Sequence, residues 1–192
     1  MNRLLATLVV FACASACSQM TRAYKTHGVK EEMTTQNWAA EIQAKAQSGD
    51  WMVVRGYHFS DDLVVLGTRS GVSHVAIYDQ DTNEAVEAIS PVVRAIPLQE
   101  FVGNSHRIIL IRPTGIDLEK GRAAVTKART KLGLKYDFLG TIGLPSQSQF
   151  YCSELAVWSV GIEVDDAGQH QVVPPKDMHL YGTIILDTGA RE

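Results

Sequence analysis

Hydrophobic and polar positions along this chain recur with two different periods, and the switches between them mark the elements. "TTQNWAAEIQAKAQSGD" spaces its apolar residues at helical intervals, predicting a helix capped at Thr34 or Thr35 and stopped at Gly49. "DWMVVRG" is short, apolar and β-branched, as in a strand. "SDDLVVLGTRSG" predicts a short helix with Ser60 as its N-cap. "SHVAIYD" and "EAVEAIS" alternate with period two around the turn residues "QDTN", which predicts a hairpin. "RIILIRP" is a further strand, closed by Pro113. "DLEKGRAAVTKARTKLG" places Ala, Val and Leu on one side and Lys and Arg on the other, an amphipathic helix. "CSELAVWSVG" predicts another helix, ended by Gly161, although Val157 and Val160 give it strand character too, and "TIILDTG" predicts a last strand. The sum is an α+β domain over residues 35–192, with helices packed on a mostly antiparallel sheet.

The first residues break this pattern. "MNRLLATLVVFACASAC" has one positive charge at Arg3, then an apolar run over residues 4–12, then small residues. The run is too short to cross a bilayer and fits the hydrophobic core of a signal peptide over residues 1–16. "ASAC" resembles the lipobox of bacterial lipoproteins, which implies that Cys17 is lipidated and that residues 17–34 form a tether. "VFAC", ending at Cys13, is a competing site, and an ordinary cleaved secretory signal is the alternative. Elsewhere the composition changes little. The chain is 45% hydrophobic and 20% charged with net charge −3, which suits a packed domain and gives no basic footprint for nucleic acid.

Of three cysteines, only Cys152 lies outside the N-terminal segment. It stands where "GLPSQSQFY" gives way to a predicted helix. A thiol in a first helical turn faces unpaired N–H groups and the positive end of the helix dipole, which favour the nucleophilic thiolate. The competing reading is a packed structural cysteine. A cysteine nucleophile needs a base, usually histidine, and the base needs an orienting group. Five of the six histidines fall in the tether, in loops or beside a strand start. His74 instead opens the apolar strand "HVAIY", and alternation puts it with Ala76 and Tyr78 on one face. Glu87 lies inside the partner strand, opposite His74 or one diagonal step away. A carboxylate there is costly unless paired or solvated, so it is either the orienter or an outward-facing surface residue.

"GDW" entering a strand, then "SHVAIY", "VEAI", "LGLKYDF", "YCSEL" and "PPKDM" in that order resemble the circularly permuted branch of the NlpC/P60 papain-like superfamily, in particular YiiX/YebB-like proteins. The resemblance spans residues 49–177. It implies a permuted papain-like fold, His74 as base, Glu87 as orienting carboxylate, Cys152 as nucleophile and Tyr151 as a substrate-binding residue, with no cofactor. The function it implies is a thiol hydrolase or acyl-transfer enzyme of the cell envelope, acting on an amide or ester bond of a peptidoglycan peptide or lipid. The expected location is the outer membrane, facing the periplasm through the lipid anchor. Ser18 beside Cys17 suggests outer-membrane retention by similarity to lipoprotein sorting. Two alternatives remain: a non-catalytic envelope lipoprotein binding a peptide or lipid in the same groove, and a metal site at Cys152, His74 and Glu87. The last has no local ligand spacing behind it.

Overall fold

Alternating apolar residues in six segments pair into one antiparallel sheet. The strands are β1 (Trp51–Gly56), β2 (His74–Asp79), β3 (Glu84–Ile89), β4 (Val92–Pro97), β5 (Ser105–Pro113) and β8 (Gly182–Asp187), in the spatial order β4-β3-β2-β1-β5-β8. A two-stranded ladder, β6 (Asp165–Asp166) with β7 (Gln169–His170), stands apart from it. This is a computed structural model. It describes residues 23–192 apart from 58, 145, 147, 148, 163, 164, 167, 168 and 171.

Both faces of the sheet are covered, because the helices on either side carry apolar stripes. On one face α4 (Leu118–Arg129) and α5 (Cys152–Ser159) bring Val125, Ala128, Leu155 and Val157 against Trp51, Val53, Val75 and Ile77. On the other, α1 (Val29–Lys45) and α3 (Leu98–Gly103) bring Ile42, Leu98 and Phe101 against Met52, Ala76, Tyr78 and Leu110. Each fully buried large side chain contributes about 1.5–3 kcal/mol relative to exposure. A further helix, α2 (Phe59–Thr68), links β1 to β2.

The hairpin, the last strand and the helices of the sequence reading are present, with shifted limits. The first helix begins at Val29, so residues 29–34, read as tether, are its first turns. Thr34 and Thr35 do not cap it. Their hydroxyls donate back to the carbonyls of Lys30 and Glu31, and the N-cap is Gly28. Glu31 and Glu32 in the first turn favour the earlier start through the helix dipole. Arg191 fixes it there: the guanidinium donates to the Glu31 carboxylate, Thr35 Oγ1 and the Ser105 and Val102 carbonyls.

The helix ends at Lys45 rather than Gly49, because the turn after it presses against α4. A Cβ on Gly49 would lie 2.5 Å from Gly121 Cα, and one on Gly121 only 1.8 Å from the Ser48 carbonyl oxygen. Ser60 lies in the first turn of α2 instead of preceding it; its side chain is outside the described residues. β5 starts at Ser105, two residues before "RIILIRP". β4 and α3 are elements that the sequence pattern did not separate from loop.

Candidate active site

The start of α5 is held by its neighbours. Tyr151 is the N-cap in extended conformation, and its N–H donates to the Glu154 carboxylate at 3.2 Å. The Tyr151 hydroxyl accepts from Val173 N–H at 3.3 Å, while Ser153 Oγ donates to the Val173 carbonyl at 2.6 Å. Two side chains flanking Cys152 thus grip both polar groups of one residue in the segment leading to "PPKDM". Tyr151, expected to bind substrate, has a buried ring at the start of α5, and its hydroxyl is engaged by Val173. Cys152 is a free thiol, 7% exposed, at the first position of the helix.

His74 is the first residue of β2, so its ring lies at the end of the sheet. The β2–β3 register pairs Ala76 with Glu87, which makes His74 and Glu87 diagonal neighbours on one face. His74 Nε2–H donates to Glu87 Oε2 at 2.7 Å, leaving Nδ1 as the nitrogen available to a thiol. Cys152 belongs to the helix layer of the opposite face. The start of α5 reaches the sheet end, and Cys152 and His74 interact there.

Charge holds this row together. Burial disfavours the imidazolium, but hydrogen bonding and charge from Cys152 and Glu87 outweigh it, and His74 is raised well above the ordinary histidine value. Burial likewise works against the ionised Glu87, 2% exposed, yet His74 and Arg94 keep its carboxyl below the ordinary value.

Arg94 is the member of the row missed in the sequence. It stands directly opposite Glu87 on β4 and donates from Nε to Glu87 Oε1 at 2.8 Å. Its signal was present as "EAVEAISPVVRAIP", two alternating runs around a Ser-Pro turn, with Glu87 and Arg94 at matching positions. The result is a line of alternating charge, Arg94–Glu87–His74, that ends at Cys152.

Beside His74 a small cavity of about 30 Å³ is lined by Val54, Gly56, Asp61, Glu87 and Phe101 among others. Two of these, Asp61 and Gly56, are held by Ser73, whose hydroxyl donates to Asp61 Oδ1 at 2.6 Å and accepts from Gly56 N–H at 3.0 Å. Sequence reasoning assigned no role to Asp61 or Ser73. Of the other histidines, His27 and His179 are exposed, and His106 is in β5 against the Tyr57 ring. His58 and the His170 side chain are outside the described residues, as are the proposed lipidation site Cys17 and its competitor Cys13. Glu87 and Cys152 flank His74 from two sides instead of converging on a point. Among the described residues no group of three or more His, Cys, Asp or Glu side chains is placed to hold a metal ion.

A thiol at a helix start, against an imidazole held by a carboxylate, is the arrangement used by cysteine hydrolases. The chain belongs to the family of permuted papain-like amidase enzymes, YaeF/YiiX, C92, whose signature matches residues 45–168. The crystal structure of the metalloprotein yiiX from Escherichia coli O157:H7 has the same fold, with a TM-score of 0.60. It is 18% identical over 77% of this chain and 98% of its own. No curated protein matches the sequence. The family makes this chain a cysteine hydrolase of the amidase type with a permuted papain-like fold.

Proposed function

We propose that the protein is a cell-envelope thiol hydrolase in which Cys152 is the nucleophile, His74 the base and Glu87 its orienting carboxylate, with Arg94 positioning Glu87. The observation that carries this reading is the row Arg94–Glu87–His74 ending at Cys152. His74 takes the proton from Cys152 Sγ, and the thiolate attacks the carbonyl carbon of an amide or ester. Backbone N–H groups at the start of α5 are offered to the oxyanion. The imidazolium then gives its proton to the leaving amine or alcohol as the C–N or C–O bond breaks. Water, losing a proton to His74, attacks the thioester; the C–S bond then breaks as the imidazolium returns that proton to Sγ, releasing the acid and the thiol. Another acceptor in place of water would make the same site an acyltransferase.

Envelope placement rests on "LLATLVVFA" followed by "ASAC". In this reading Cys17 carries the lipid, residue 18 directs the protein to the outer membrane, and the domain faces the periplasm. The substrate is an amide- or ester-linked envelope component, either a peptidoglycan peptide or a lipid. The test combines a thiol-directed activity probe with a panel of muropeptides, acyl amides and phospholipids. The probe is expected to label Cys152 selectively near neutral pH, with turnover of one substrate class lost in Cys152→Ser. Full turnover by Cys152→Ser would refute the mechanism. The mature N-terminus is expected to begin at a diacylglyceryl-modified Cys17, and an unlipidated chain recovered from the envelope would refute the placement.

A further inference from the structure

We infer that the loop "FLGTIGL", residues 138–144, is a membrane-docking surface that seats the Cys152 end of the domain on a phospholipid bilayer. The inference rests on the envelope placement proposed above. Four of its seven residues are large, apolar and exposed: Phe138 62%, Leu139 60%, Ile142 70% and Leu144 62%. Isolated apolar side chains on a surface need no explanation, but a contiguous group on one loop marks an interaction site.

The loop is built to present them. The buried Asp137 carboxylate accepts from Gly140 N–H at 2.8 Å and from Ser146 N–H at 2.7 Å, closing the loop on itself. Thr141 Oγ1 donates to the Phe138 carbonyl, and a short 3₁₀ turn over Gly140–Ile142 satisfies further backbone groups. Gly140 has no room for a side chain, since a Cβ would lie 2.7 Å from Asp137 Oδ2. Polar groups are thus turned inward and hydrocarbon outward, the division that insertion into a lipid interface requires.

Position and charge select the bilayer as the occupant. The loop leaves the sheet end that carries His74. Tyr136 N–H donates to the Pro91 carbonyl in the turn after β3, and the helix bearing Cys152 follows the loop. The N-terminal segment joins the body at that same end. Lys25 Nζ donates to Asn104 Oδ1 at 2.8 Å, and the adjacent Ser105 pairs with Gly56 at the last position of β1. From Cys17 to Ala23 the chain can span at most about 20 Å. A lipid on Cys17 therefore keeps this end of the sheet close to the headgroups. Lys131 and Lys135 precede the loop, and the sole acidic residue from 131 to 144 is the buried Asp137, which suits an anionic surface.

The test uses the full chain carrying Ile142→Trp, on vesicles of phosphatidylethanolamine and phosphatidylglycerol with brominated acyl chains. Trp38, Trp51 and Trp158 in the unsubstituted chain supply the baseline. The added emission is expected to fall at least twofold on brominated relative to unbrominated vesicles, with no comparable change in the parent. Retained labelling of Cys152 by the thiol probe verifies folding. A vesicle-bound chain whose added emission is unquenched overturns the inference, as does a chain that fails to bind vesicles. Sedimentation equilibrium without lipid covers the other occupant: a dimer dissolved by Ile142→Asp would make the loop a contact between copies and overturn it too. Quenching at position 142 together with an unmodified Cys17 would uphold the loop while refuting the lipid anchor.

Discussion

A single proton decides what the site can do, and the geometry around His74 determines how tightly that proton is held. The folded His74 binds its proton more strongly than the unfolded chain does, and Glu87 binds its own less strongly. The stabilisation from His74 is therefore full below about pH 6.5 and is lost as pH rises through its raised folded value. The stabilisation from Glu87 is present above the ordinary carboxylate range and is lost as pH falls through its lowered folded value. Activity that needs the imidazolium is expected to persist on the alkaline side well past pH 6.5. Glu87→Gln removes one of the two groups that raise His74, so the alkaline limb of kcat/KM is expected to move down in pH. The rate should fall on the order of 10²-fold or more, with residual turnover left. A pH–rate profile of the variant checks both, and an unmoved alkaline limb would show that Glu87 does not hold the ring. His74 and Glu87 were legible because each is a polar residue in an alternating apolar strand. Arg94 was not, since its role appears only once β4 is registered on β3.

Among the elements, those with a clean period were read correctly and those governed by contacts were not. β2, β3 and α4 each carry their own signal. α3 has six residues, and β4 is bounded by two prolines, so neither provides enough sequence for a period to show. The limits of α1 depend on partners distant in sequence: Arg191 at its start and α4 just past its end. The Gly49–Gly121 contact gives the sharpest expectation at this scale. Gly121→Ala lies mid-helix, where alanine is intrinsically favoured. Here the added methyl meets the Ser48 carbonyl oxygen, so a loss of about 1–3 kcal/mol is expected. Urea denaturation measures it; an unchanged or raised midpoint would mean that the turn yields without cost.

Across the described residues, Arg191 ties the last residues to α1, β5 and the end of α3. Arg191→Ala removes the guanidinium from the Ser105 and Val102 carbonyls and from the Glu31 carboxylate, which keeps the Thr26 hydroxyl, and a loss of about 3 kcal/mol is expected. A thermal melt that barely shifts would show that water replaces the guanidinium freely. The gripping of Val173 by Tyr151 and Ser153 has a consequence in time. Residues emerge from the ribosome, or from a translocon, in chain order at roughly 5–20 per second during synthesis. The His74–Glu87 pair lies on a hairpin that is complete by residue 89, and Cys152 follows more than sixty residues later. The start of its helix is secured only when Val173 arrives. A newborn chain thus carries the His74–Glu87 pair before the segment that secures Cys152 has been made. In chains stalled at successive lengths, Cys152 should alkylate like a free thiol until residue 173 and the segment behind it are free to fold, then change rate abruptly. A smooth course across that length would mean that the grip on Val173 plays no part in arming the site.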